Sequence, residues 1–324
     1  MDKDFIAKHI DYVLKETNFP ELGEKRVGKV RDTYVQGDKI FLVATDRYSA
    51  FDRNLALIPF KGQVLTQTSL FWFNETKDIV PNHVLDNPDP NVIIGRKCEL
   101  IPIEVVVRGY ITGVTNTSLW THYSKGDRNF GSFTLPEGLV KNQKLDSPVI
   151  TPTTKFEEHD RPLTDEEITE KNMVAEDVWN QVKEIALKLF ARGQQVAAER
   201  GLILVDTKYE FGLDNNGQIT LIDEIHTPDS SRYWYAASYT ERFAQNQEPE
   251  YFDKEFLRIW FKEHSDPYKD EVLPQAPPEL IAELSSRYIK IYEQITGREF
   301  QIDTSKSIED RIKYNIDTYV AKSQ

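Results

Sequence analysis

The segment LVDTKYEFGLDNNGQITLIDE, residues 204–224, decides how the chain is read. Alternate side chains of an extended chain share a face. Asp206, Lys208 and Glu210 therefore project together, while Val205, Thr207, Tyr209 and Phe211 project the other way. One face of this strand is ionic. Asn216-Gly217 then signals a hairpin, and a two-residue turn there would set Asn215 against Gln218 and Glu210 against Asp223, on one sheet face. Directly opposed carboxylates destabilise a strand pair and ask for a cation between them. Hard oxygen ligands beside a basic residue suit magnesium carried in with a nucleotide's phosphates. The alternative is a solvent-facing hairpin with hydrated charges, and a four-residue turn would shift the register and unpair the two acids. Beside Asp223 stand Glu224, His226, Asp229, Ser230, Ser231 and Arg232, an unusual density of polar groups for a surface strand.

Outward from this strand, a length of 324 residues exceeds what most single cores serve, so two lobes with a cleft are expected. No apolar run approaches the ~18 residues of a membrane span. A formal net charge of -13 would repel nucleic acid and anionic lipid, so an anionic ligand needs a local basic pocket. The lone Cys98 allows neither an intrachain disulfide nor a zinc cluster. These features predict a cytoplasmic protein that binds neither nucleic acid nor membrane; a monomer or homodimer acting on small molecules is expected, with the choice between the two left open.

Residues 1–17 have the apolar spacing of an amphipathic helix. Residues 24–60 read as strands and turns, with a turn at Gly37 and an apolar strand over residues 40–45. Helical spacing follows over 62–78, and strand signals return at NVIIG and ELIPIEVVVRG. Residues 126–161 read as a long loop that covers a ligand. Thr164 and Glu167 form a capping-box pattern, predicting a long helix with Trp179, Val182, Ala186, Leu189 and Val196 on one stripe and Gly201 at its end. Three more helices are expected from about Asp253, over 278–297, and over 307–321. The fold class is α+β, with a small β-rich lobe over 1–100 and a larger mixed lobe with C-terminal helices over 101–324.

Basic and hydroxyl residues cluster in three places. RVGKVRD puts Lys29 and Arg31 on one strand face just after Gly28, where a polyanion can approach the backbone; a solvated edge hairpin reads equally well. VVVRGYITGVTNTS delivers Arg108 into a turn with Thr112, Thr115, Thr117 and Ser118, either a phosphomonoester site or an arginine capping a strand end. ATDRYSAFD ends a buried strand in Asp46, Arg47, Ser49 and Asp52, where ligand groups collect. No Ser/His/Asp order and no reactive-cysteine context stands out, so phosphate handling with a metal is favoured over covalent catalysis by the protein.

GKVRD, ATDRYSAFD, IPIEVVVRGYITG, ITPTTK, LVDTKYEFG and DEIHTPDSSRYW, spread over residues 28–234, closely resemble the SAICAR synthetase family. The resemblance implies a two-lobed nucleotide-binding fold, ATP-grasp or kinase-like. It also implies an ADP-forming ligase that joins L-aspartate to the carboxylate of carboxyaminoimidazole ribonucleotide in purine biosynthesis, with ATP and magnesium. It gives Gly28, Lys29, Arg31 and Lys141 to the nucleotide, Leu100 to an adenine-binding hinge, and Glu210 and Asp223 to the metal. Arg108, Thr115, Asp206, Lys208, Asp229 and Arg232 would face the ribonucleotide, with Ser49 and Asp52 near the aspartate. Lys29, Asp206 and Lys208 would be the catalytic set. One position departs: where the family usually reads Thr-Gly-Ser, this chain reads Thr112-Gly113-Val114, so either Thr115, Thr117 or Ser118 substitutes, which is the expectation, or affinity for the ribonucleotide is lower. A small-molecule kinase and a nucleotide-binding regulator without turnover are the competing readings.

Overall fold

The computed structural model describes residues 3–51, 53–115, 117–155, 161–252 and 255–322. The chain forms two compact units, one of Met1–Phe71, Val84–Lys97 and Phe252–Gln324, the other of Trp72–His83 and Cys98–Tyr251. Among the described residues no helix is long and apolar enough to cross a membrane.

In the first unit α1 (Lys3–Lys8) is shorter than its apolar spacing predicts, and the chain beyond it is irregular although Leu14 is buried. β1 (Glu24–Val27), β2 (Arg31–Gln36) and β3 (Lys39–Ala44) follow as consecutive antiparallel strands. β4 (Arg47–Ala50) and β5 (Arg53–Leu57) form a separate hairpin before α2 (Lys61–Glu75). β6 (Val84–Asp89) and β7 (Val92–Arg96) complete the sheet in the order β1-β2-β3-β7-β6.

Two buried acids organise this unit. The Asp46 carboxylate accepts the amides of Leu14 at 2.7 Å and of Gly62, at the start of α2, at 2.8 Å. Burial pushes its pKa up to about 6 against those amides and the field of Lys61. Asp32, wholly buried, accepts from the Thr17 amide at 2.7 Å and the Arg47 guanidinium at 2.8 Å. Burial raises its pKa, but the Thr17 amide and Arg47 prevail, and the carboxyl titrates below its ordinary value.

The second unit is built on a sheet of β8 (Glu99–Leu100), β9 (Ile103–Ile111), β10 (Gln143–Thr154), β11 (Leu202–Leu213), β12 (Ile219–Ile222) and β13 (Ser231–Tyr235). Its helices are α3 (Leu119–Ser124), α4 (Asp165–Glu170), α5 (Glu176–Glu199) and α6 (Ala236–Ala244). β11 is the long central strand, pairing with β9, β13, β12 and β8. Twelve residues of the expected 126–161 loop are strand β10. Its prolines and charges hide the strand pattern and are tolerated because β10 lies at the sheet edge. The rest of that segment packs Leu135, Phe130, Phe133 and Leu139 against Ile111 and Tyr123, while residues 156–160 lie outside the described set. The Thr164 cap is real, with its hydroxyl accepting the Glu167 amide at 3.1 Å, but it opens the short α4; α5 begins after a break, with no side-chain cap.

α5 buries Trp179, Val182, Ala186, Leu189, Phe190, Gly193 and Ala197; Val196 is only half-buried. This stripe lies on the apolar face of the sheet. A Cβ on Gly193 would stand 2.4 Å from His226 Cε1 and 2.6 Å from Leu204 Cδ2. His226 is wholly buried, accepts or donates at 2.5 Å with the Tyr209 hydroxyl, and is held by burial at a pKa of about 3, so it is neutral and structural. Gly193→Ala is therefore expected to overpack this contact, costing roughly 1–3 kcal/mol. The check is a lower urea midpoint with an unchanged slope.

The chain then returns to the first unit with α7 (Glu255–His264), α8 (Pro278–Thr296) and α9 (Ile308–Lys322). Where the sequence suggests one mixed lobe over 101–324, these helices pack with the N-terminal strands. Leu257, Phe261, Ile281, Leu284, Tyr288 and Ile289 join Ile6, Tyr48, Val64 and Leu65 in one core. Ile308, Ile312 and Ile316 join Tyr34, Phe41, Val43, Val92 and Ile94 in another. Their apolar stripes at helical spacing have no other core to enter.

Candidate functional site

In the second unit the polar face of β11 meets those of β9, β10 and β13. Asp206 is paired with Arg108 on one side and Arg232 on the other. Its Oδ2 stands 3.4 Å from Arg232 and 4.0 Å from Arg108 without a hydrogen bond of its own. Arg108 is buried and fixed, donating to the Thr151 hydroxyl at 2.8 Å and the Thr117 carbonyl at 3.2 Å. Lys208 donates to Glu104 at 2.5 Å and to Glu210 at 3.2 Å, and Lys155 also pairs with Glu210. Burial presses the Lys208 pKa down, but Glu210, Glu104 and Asp223 more than offset it, so this ammonium stays charged. Thr153 adds a 3.2 Å bond to Glu104.

The hairpin register differs from the expected one. Glu210 lies opposite Ile222, not Asp223, and Leu213 opposite Ile219. The turn is wider than two residues because the Asp214 carboxylate caps the amides of Asn216 at 2.8 Å and Gln218 at 2.9 Å, and Gly217 takes φ 76°. Asp223 just beyond β12 has φ 66°, which frees it from the strand's alternation, and its charge acts on Lys208. The loop that follows is knotted on Thr227. Its hydroxyl donates to Glu224 at 2.6 Å and accepts the amides of Asp229 at 3.3 Å and Ser230 at 3.2 Å, leaving Asp229 half-buried.

The turn after β9 closes on Ser118, whose hydroxyl donates to the Thr115 carbonyl at 2.8 Å and shares a 2.7 Å bond with Thr121. A Cβ on Gly113, at φ 102°, would strike Ser118 Cβ at 2.4 Å. Ser118 is buried, whereas Val114 and Thr115 are exposed. Lys141, expected among the nucleotide contacts, stands at this end of the unit, 2.5 Å from Glu248. Leu100 lies at the opposite end of β11, paired with Gly212.

In the first unit Gly28, Lys29 and Val30 form the turn between β1 and β2, so Lys29 is a loop residue rather than a strand residue, and Arg31 opens β2. Arg47 anchors this turn from below, donating to the carbonyls of Gly28 at 3.0 Å and Lys29 at 3.4 Å as well as to Asp32. Asp46 and Arg47 of ATDRYSAFD thus serve the fold. Ser49 lies on β4 opposite Asn54. Asp52 lies outside the described residues.

Comparison with known proteins places these motifs. The family model described as SAICAR synthetase matches residues 24–275. The chain belongs to the SAICAR synthetase family. A phosphoribosylaminoimidazole-succinocarboxamide synthase of Legionella pneumophila (strain Paris) is 58% identical over 310 residues, covering 95% of this chain and 99% of the relative. A solved SAICAR synthase from Saccharomyces cerevisiae, complexed with SAICAR, superposes with TM-score 0.77 at 33% identity, covering 89% of this chain and 100% of that one. A SAICAR synthetase solved in complex with ADP gives TM-score 0.65 at 27% identity, covering 86% of this chain and 100% of that one.

Sequence reasoning missed Glu104 and Lys155. Glu104 lies four residues before Arg108, so strand alternation alone puts both on one face. Lys155 ends the ITPTTK motif, but its meeting with Glu210 depends on a β10–β9–β11 order that no local pattern displays.

Proposed function

We propose that the chain joins L-aspartate to the carboxylate of carboxyaminoimidazole ribonucleotide, consuming ATP and releasing ADP and phosphate. The observation that carries this reading is the ionic face of β11, where Asp206, Lys208 and Glu210 from one family motif meet Arg108 and Glu104 from a second and Arg232 from a third. A carboxylate is a poor electrophile. Transfer of the γ-phosphoryl group to a carboxylate oxygen, with ADP leaving, makes an acyl phosphate; the aspartate amine then attacks the acyl carbon and expels phosphate.

Arg108, Arg232 and the exposed Thr115 suit the ribonucleotide, with Asp206, Lys208 and Asp229 orienting its reacting end. Asp206, with an oxygen free of hydrogen bonds, is the candidate to accept a proton from the amine, and the geometry assigns no single general base. Lys29 and Arg31 donate to the ATP phosphates and Leu100 contacts adenine, while Ser49 and Asp52 serve the aspartate.

Among the described residues no group of three or more His, Cys, Asp or Glu forms a metal cage. Magnesium nevertheless needs only one or two carboxylates when phosphates supply the other oxygens. Glu210 and Asp223 are hard oxygen donors of that number, and both act on one ammonium, Lys208, which supports their sharing a cation site. Bound there, the ion would offset charge on the transferring phosphoryl group.

The test is ADP release by the purified protein with ATP and magnesium, omitting the ribonucleotide and L-aspartate in turn. Release that requires both is expected. Release with the ribonucleotide alone would indicate a kinase or a leaking acyl phosphate. Bound nucleotide without release would indicate a regulator.

A further inference from the structure

We infer that Lys141 binds the phosphate of the ribonucleotide, held ready by Glu248, and supplies the donor that Val114 cannot. This rests on the ligase reading above.

The position of Lys141 is fixed through its neighbour. Asn142, buried and at φ 68°, donates its amide to the Ile111 carbonyl at 2.7 Å, accepts the Thr112 hydroxyl at 2.6 Å and accepts the Tyr239 hydroxyl on its carbonyl at 2.8 Å. Lys141 is thereby clamped at the base of the turn that carries Gly113, Val114 and Thr115. The same turn adjoins Arg232, since a Cβ on Gly113 would be 3.7 Å from Arg232 Nη1. Lys141 and the Asn142 amide then take one oxygen each of the Glu248 carboxylate, at 2.5 and 3.0 Å.

Arg108 and Arg232 adjoin this turn and Lys141 is tied to its base through Asn142, against the carboxylates of Asp206 and Glu248. Arg108 is committed to Thr151 and Thr117, but the Lys141 side chain remains 31% exposed and Glu248 55% exposed. An exposed ammonium–carboxylate pair is worth little, so a phosphomonoester dianion can take the ammonium from Glu248. The Glu248 carboxyl is raised by burial but held low by Lys141 and Asn142, with Arg232 contributing, which places Glu248 in the field of the arginine site. Val114, 68% exposed on the same turn, offers no side-chain donor, and the Ser118 hydroxyl is already used within it, so the turn presents the exposed Thr115 hydroxyl, which carries no charge. The lysine fills that gap.

The experiment is steady-state kinetics of the full chain, varying each of the three substrates, for K141M, K141R, E248Q, V114S and K141M/V114S. K141M is expected to raise the ribonucleotide KM about tenfold or more, with kcat and the KM values for ATP and aspartate within about twofold. K141R should recover most of that loss. V114S alone should change the ribonucleotide KM by less than about threefold, but lower it by about tenfold in the K141M background. E248Q should leave Lys141 able to reach the phosphate and not raise the ribonucleotide KM.

An unchanged ribonucleotide KM in K141M, or a rise confined to ATP, would overturn the inference. So would an E248Q variant that mimics K141M, because the pair would then be a structural tie. A wild-type protein with no ribonucleotide-dependent ADP release would instead overturn the ligase reading, which separates the two failures.

Discussion

Glu210→Gln is expected to lower turnover by about a thousandfold, the loss typical of removing a charge that stabilises a transition state. Glutamine keeps the shape of the side chain and can still accept from Lys208, so the β11 pairing with Ile222 should survive. The negative charge that gathers Lys155 and Lys208 is what disappears. Two measurements separate chemistry from folding: ADP release over a magnesium titration, and the thermal midpoint of the same preparation. A normal rate in a folded variant would remove Glu210 from the metal site. A rate restored by high magnesium would keep it there as an affinity determinant.

Arg47→Ala is expected to cost about 3 kcal/mol of stability, the low end of the usual penalty for breaking a buried ion pair, since Lys25 still reaches the carboxylate. Asp32 has no exposure; Arg47 is its buried charged partner at 2.8 Å, and Lys25, a quarter exposed, stands at 3.2 Å from the other carboxylate oxygen. The same guanidinium closes the Gly28–Lys29 turn and reaches the Lys15 carbonyl at 2.7 Å, so its loss also leaves three partly buried carbonyls without this donor. The sign with pH follows from Asp32. Its folded pKa lies below the unfolded value, so its contribution is present above that unfolded value and is lost as pH falls through the folded one. Truncating Arg47 should flatten this acid limb. Urea unfolding at neutral and acid pH reads both effects. A shift under about 1 kcal/mol at neutral pH would mean the pair is only tolerated. The double change of Asp32→Leu with Arg47→Met should cost less than Arg47→Ala, since no lone charge remains buried.

How much of this was legible in the sequence depended on whether the signal was periodic or relational. β11 was readable because the alternation of Asp206, Lys208 and Glu210 with Val205, Thr207, Tyr209 and Phe211 is a property of the strand itself. α8 and α9 were readable for the same reason at helical spacing. The register of Glu210 was not, because the Asp214 side chain competes for turn amides and widens the loop beyond what Asn216-Gly217 suggests. β10 was obscured by Pro148, Pro152 and its charged residues, which only an edge position accommodates. Lys141 and Lys155 acquire meaning only from Glu248 and Glu210, which lie far from them in sequence.

The interleaving of the first unit with the whole length of the chain bears on its manufacture. The second unit, residues 72–83 and 98–251, is nearly contiguous and can collapse while the ribosome is still extending the protein. The first unit cannot. Its strands emerge early, yet Phe41, Val43, Val92 and Ile94 wait for Ile308, Ile312 and Ile316 to cover them, and those come from α9, translated after the whole of the second unit. Throughout that interval an apolar sheet face stands open. Premature termination anywhere before about residue 308 would release a protein with a finished half and an exposed, aggregation-prone one.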